Sequence, residues 1–381
     1  MSQYKEELFR HKTKRIYRML LLLILIVVGI LAWLYFRNNR SYTSSEVLST
    51  EKRNASADSV VQAVDLGILT YSHDGAFYTD SGGVQVWNRT FEMTDPMADV
   101  CGGTVAFCNQ NGTHIYVSSV DGNLGDFETA TPVRMIRVAE NGNVIAVQDE
   151  GEVTAIYVYA VDGSAIAKFN TTMDQWGYPL ATDISPDGHL VMVSYLFTNG
   201  DNITSQVAFY NFGEVGASSS NNFVSGYNYE GVLIPQVGFL DDSSAYALAD
   251  DRLLFFEGKQ IPELTSEQAA DAEVVSVHES EGTLGLLVYT GKENAEYSFR
   301  IYEGDGQLVS ETPHNVKYEH YLMMKNRFLL YNASECAIYN MKGDRKYYAL
   351  FQTAALCMNR TEHKDRFTVV HAVNTDVIEL N

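Results

Sequence analysis

Four cysteines, nine histidines and one serine set beside an acid in a glycine turn are the residues of this chain whose types suit chemistry. The cysteines (Cys101, Cys108, Cys336, Cys357) follow no C-x-x-C spacing, and apolar neighbours such as Val105, Phe107, Ala337 and Ile338 mark them as buried, inert thiols. A disulfide between Cys101 and Cys108, across the Gly102-Gly103 turn, is the alternative. The histidines are dispersed, without the H-E-x-x-H arrangement of a zinc site. Asp241-Asp242 and Asp250-Asp251 lack the alternating oxygen ligands of a calcium loop and read as solvated turns. Asp80-Ser81-Gly82-Gly83 offers a hydroxyl, but a serine nucleophile needs a histidine base held within hydrogen-bond reach, and no histidine-bearing partner segment accompanies it. The expectation is no metal, no cofactor and no catalytic residue.

The residues that suit binding are aromatic. They cluster at Trp176-Gly177-Tyr178-Pro179, at Tyr227-Asn228-Tyr229 and at Tyr318-Glu319-His320-Tyr321. Tyr and Trp combine apolar area with a polar tip, which suits a glycan, peptide or protein ligand. Trp176, Tyr178, Tyr227, Tyr229, Tyr318 and His320 are therefore the candidate ligand-binding residues, with packing between structural units as the competing role.

The elements that must position them are strands. From Val60 onward, apolar or alternating runs of four to eight residues are separated by Gly, Asn and Asp turns, as at Asn143–Gln148, Leu190–Leu196 and Phe328–Asn332. The one stretch that reads as helical is Ser266–Ala272. A turn followed by an apolar strand recurs at Gly103, Gly142, Gly188, Ser243, Gly282, Asn326 and Asp365, most often about 40–45 residues apart. Four strands per such unit define an all-β fold, the β-propeller. The longest interval is explained by a polar insertion over 216–222. Seven turns plus an N-terminal unit from Val60 give eight blades, with seven as the alternative count. Val60–Val64 is expected to complete the short last blade.

The first sixty residues differ. Met19–Phe36 is an uncharged apolar run bounded by Arg15 and Arg18 on one side and by Arg37 and Arg40 on the other. Its length and its terminal Trp33 and Tyr35 predict one transmembrane helix over 16–36 that contacts membrane lipid. Residues 1–18 carry six Lys and Arg, so residues 1–15 are expected to be a cytoplasmic basic tail, 37–59 a flexible tether and 60–381 an extracytoplasmic propeller. The expected location is the cell membrane. Residues 1–40 hold eight bases and two acids, so the formal charge of −21 leaves −27 on the remainder. Such a surface repels nucleic acid and favours basic partners.

Two turns carry a family likeness. Ser185-Pro186-Asp187-Gly188 resembles the S-P-D-G turn of several propeller families, and Gly75–Trp87 resembles a quinoprotein-like (PQQ-like) repeat, with Tyr157–Phe169 a weaker copy. As a whole the chain resembles an uncharacterised family of single-pass, membrane-anchored propellers from Gram-positive bacteria, which brings no assigned activity. The resulting expectation is a non-enzymatic binding or scaffolding module at the cell envelope, with an envelope protein, peptide or glycan as partner. The alternatives are a propeller enzyme, either a quinone-dependent dehydrogenase or a hydrolase using central carboxylates, and a ligand-sensing subunit of a membrane complex.

Overall fold

A computed structural model describes residues 17–30, 40–56, 58–151, 153–171, 177–200 and 202–381. Eight four-stranded antiparallel sheets follow one another and form an eight-bladed β-propeller. Blades 1 to 7 run in sequence order from the innermost to the outermost strand, over residues 60–90, 96–128, 133–171, 178–230, 236–269, 273–314 and 320–350. Blade 8 takes three strands from 355–380 and its outermost from Ser45–Lys52.

Hydrophobicity falls from the middle of each blade outward. The second strand of blade 7, Arg327–Tyr331, is buried at every position, whereas the outermost strand of blade 4, Phe223–Glu230, is mostly open. A middle strand is covered by both neighbouring blades, so an unbroken apolar run is the sequence that fits it. Between blades 4 and 5 the core holds Phe209, Phe239, Leu254 and Phe256, with Phe209 and Phe256 edge-to-face at 5.1 Å. Tight turns close the inner hairpins. Ser185-Pro186-Asp187-Gly188 is one of them: Asp187 Oδ1 accepts from Ser185 Oγ and from the amide of His189, and Gly188 has φ +76°. That left-handed conformation favours glycine, and a Cβ there would also have to displace the side-chain amide of Asn141 in the preceding blade.

Ring closure departs from the sequence expectation. Ser45–Lys52, inside the stretch read as a tether over 37–59, pairs antiparallel with Asn374–Leu380, from Ser45 opposite Leu380 to Lys52 opposite Asn374. Val60–Val64 does not complete the last blade; it is the innermost strand of blade 1. Tyr42 anchors the arriving chain: its hydroxyl donates to Asp365 Oδ1 at 2.6 Å and its ring is buried between blades 7 and 8. Ser266–Ala272 is not helical either, because Glu263–Ala269 is the outermost strand of blade 5. Both misread segments are outermost strands, largely exposed, with no apolar alternation to identify them.

The membrane anchor is overturned as well. Residues 17–30 form a helix, and among the described residues no helix is long and apolar enough to cross a membrane. The expected single-pass location, with a cytoplasmic N-terminus and an extracytoplasmic domain, falls with it. The remaining ends of the expected span lie outside the described residues.

Candidate functional site at the channel

Each innermost strand faces the ring axis, so residues far apart in sequence meet there. A recess of about 870 Å³ runs along the inner strands of blades 6, 7, 8 and 1 and reaches the turns of blades 2 and 3. Its charged lining is Asp65, Glu140, Glu279 and Glu281, with Arg360 as the one Lys or Arg. Arg360 is paired with Glu281 across the channel at 2.5 Å. His278 and His320 also line it. Burial, helped by the neighbouring His320, pushes His278 down to about 4, and its Nε2 lies 2.8 Å from Ser276 Oγ. Burial lowers His320 too, and its ring stacks on Tyr331 at 4.6 Å.

A second recess of about 420 Å³ lies against the inner strands of blades 2 to 6 and shares Glu279 with the first. It gathers Asp99, Asp183 and Glu279 around Arg137, whose Nη1 is 3.6 Å from Asp99 and whose Nε is 3.9 Å from Asp183. Each carboxylate also joins two blades. Asp99 Oδ2 accepts from the Val138 amide at 2.7 Å, Asp183 Oδ2 from the Phe239 amide at 2.7 Å, and Glu279 Oε1 from the Tyr246 hydroxyl at 2.6 Å. Burial raises all three above the usual carboxylate range. At Asp183 burial is the first cause, repulsion by Glu279 adds to it, and Arg137 offsets part of the cost. The channel is therefore a low-dielectric acidic bore that favours an entering cation.

The aromatic candidates do not form one cluster. Tyr227 and Tyr229 sit on the outermost strand of blade 4 and pack against the core shared with blade 5. Tyr227 donates to Pro262 O at 3.0 Å, and the Tyr229 hydroxyl is buried without a partner. Tyr318 is 2% exposed within the core between blades 6 and 7. Tyr178 opens the inner strand of blade 4, half-buried under the Arg134 guanidinium at 4.8 Å. Trp176 lies outside the described residues. Of the six, His320 lines the larger recess.

The other sequence candidates resolve into structure. All four cysteines are free, and burial pushes Cys101, Cys108 and Cys336 up to about 12 and Cys357 to about 11. The Asp80-Ser81-Gly82-Gly83 segment is a hairpin turn in which Asp80 Oδ1 accepts from the amides of Gly82 and Val84, both at 2.9 Å. Trp87, which ends the quinoprotein-like segment, donates to Ser119 O of blade 2 at 2.8 Å. The channel carboxylates escaped sequence reasoning; the signal was a lone acid within an apolar inner strand, as in Met97-Ala98-Asp99-Val100.

Fold and channel together define an eight-bladed β-propeller with an acid-lined bore. Comparison with solved structures agrees on the fold: BamB from Moraxella catarrhalis, which has the PQQ-like repeat fold, is 13% identical with a TM-score of 0.51, over 88% of this chain and 100% of that one. Hsv2 from Kluyveromyces lactis (8%, TM-score 0.48, over 77% and 98%) and the Pan2 WD40 domain from Neurospora crassa (10%, 0.44, over 75% and 88%) are also similar. The chain belongs to DUF5711, a family of unknown function whose model matches residues 38–380. No curated protein matches it.

Proposed function

We propose that this propeller is a non-enzymatic binding module whose partner is a protein presenting a basic segment to the channel. The observation that carries the reading is the 870 Å³ recess lined by Asp65, Glu140, Glu279 and Glu281 against Arg360. A lysine or arginine entering it would meet four carboxylates set against a single arginine, a charge imbalance that a basic segment offsets. The chemistry of nearby groups supports a binding role over catalysis. The thiols are raised well beyond neutrality and His278 is held uncharged, so neither is tuned for proton or nucleophile work at neutral pH. A hydrolase using Asp99, Asp183 and Glu279 is the second reading, favoured by their raised values. Their commitment to blade-joining hydrogen bonds favours the first.

Titration calorimetry with a tri-arginine peptide tests this reading. One saturable site is expected, weakening with salt, and Glu140→Gln with Glu281→Gln should lower affinity about tenfold. Equal binding by that double variant, or several equivalent weak sites, would place the attraction in the general surface charge and refute the channel reading.

A further inference from the structure

A third cavity, of about 250 Å³, lies where blade 8 meets blade 1. One wall comes from Glu51 on the closing strand, Arg53 just beyond it, and Thr368, Val370, Thr375 and Val377 of blade 8. Ile68, Thr70, Phe77 and Thr79 of blade 1 form the other, and the Asp80–Gly83 turn sits at the rim.

Among the described residues, two polar groups in this cavity have no partner. Arg53 Nη2 is buried without an acceptor, and burial is the cause that lowers its guanidinium below the ordinary arginine value. Thr368 Oγ1 is also buried and unpaired, on a residue only 5% exposed. A buried guanidinium nitrogen and a buried hydroxyl, each without a hydrogen-bond partner, both oppose folding. The acids beside them are directed elsewhere. Asp80 holds its own turn, and Glu51 lies over that turn, with Oε2 2.6 Å from where a Cβ on Gly83 would stand.

We propose that this cavity binds a small organic carboxylate with an apolar body. The carboxylate takes the Arg53 fork and one lone pair accepts from Thr368, while Ile68, Phe77, Val370 and Val377 cover the hydrocarbon. A carboxylate fits better than an inorganic phosphate because the cavity sets its guanidinium against an apolar wall. The volume admits a body about as large as one amino-acid side chain. This site is independent of the channel and stands or falls separately from it.

The test titrates the full chain with 4-methylpentanoate and with benzoate, by calorimetry and thermal shift, beside 4-methylpentanamide as the neutral isostere. At least one carboxylate should bind saturably and raise the melting temperature, about tenfold more tightly than the amide. Arg53→Gln should weaken carboxylate binding about tenfold or more, and Thr368→Val several-fold without lowering the melting temperature of the free protein. No saturable binding by either carboxylate, equal binding of acid and amide, or undiminished binding by Arg53→Gln would each overturn the proposal. The acid–amide comparison decides it on the unaltered chain if Arg53→Gln does not fold.

Discussion

The junction between blades 4 and 5 and the junction between blades 8 and 1 are built on the same plan and packed very differently. Among the described residues the first buries fourteen apolar side chains, three of them phenylalanines. The second buries three, Ile68, Cys357 and Val370, with Val61 and Ala63 partly covered. The chain passes directly from the outermost strand of one blade to the innermost strand of the next at both junctions, but the outermost strand of blade 8 comes from the N-terminal side of the ring and not from the strands it pairs with. At the closing junction polar contacts replace the missing hydrocarbon. Asn359, fully buried, donates to Asp65 O at 3.1 Å and to Gly67 O at 2.8 Å, and the Arg53 cavity occupies space that a core would fill. The break in the chain lies inside blade 8, where Ser45–Lys52 and Asn374–Leu380 are held together by strand pairing alone, and beside that pairing a ligand-sized space is left.

Core truncations should break this symmetry most plainly. Phe256→Ala, in the dense junction, is expected to cost about 3–5 kcal/mol, because the surrounding aromatic rings cannot collapse into the hole. Val370→Ala, beside an existing cavity, should cost no more than about 2 kcal/mol. Denaturant melts of the two variants compare them directly, and equal losses would remove the contrast.

A smaller effect, dependent on pH, belongs to the dense junction. Asp183 reaches from blade 4 to the Phe239 amide of blade 5, and its folded carboxyl holds a proton well above the range in which the unfolded chain releases it. The folded state therefore binds the extra proton in that window, so Asp183 costs stability as pH rises from about 4 through its raised value. Asp183→Asn keeps an acceptor for the amide and removes the charge. It should match the parent protein near pH 4 and gain on it steadily toward pH 8. Melting temperatures across that range measure the gap, and parallel curves would mean that the carboxyl titrates as it does in water.

The same contrast explains what the sequence disclosed. Dense junctions were legible because a buried middle strand such as Leu190–Leu196 writes an apolar run between turns, and those runs repeat at blade spacing. Outermost strands were not, because water reaches them. Ser45–Lys52 has no buried position and read as a tether, and Glu263–Ala269, rich in helix-forming residues, read in part as a helix. Site residues divided in the same way. Tyr227, Tyr229 and Tyr318 are conspicuous in sequence and lie in or against blade–blade cores. Asp99, Asp183 and Glu279 are single acids in separate strands, and only closure of the ring brings them together. Arg53 lies beyond the last residue of a strand that the sequence did not reveal.

Hydrogen exchange resolved by residue tests the central claim, that the ring is least secure where it closes. Amides of Ser45–Lys52 and of Asn374–Leu380, which pair with each other, should exchange through a sub-global opening well below the global unfolding free energy. Those pairing Leu190–Asn199 with Asn202–Asn211 in blade 4 should exchange only on global unfolding. Equal protection at the two places would contradict the claim.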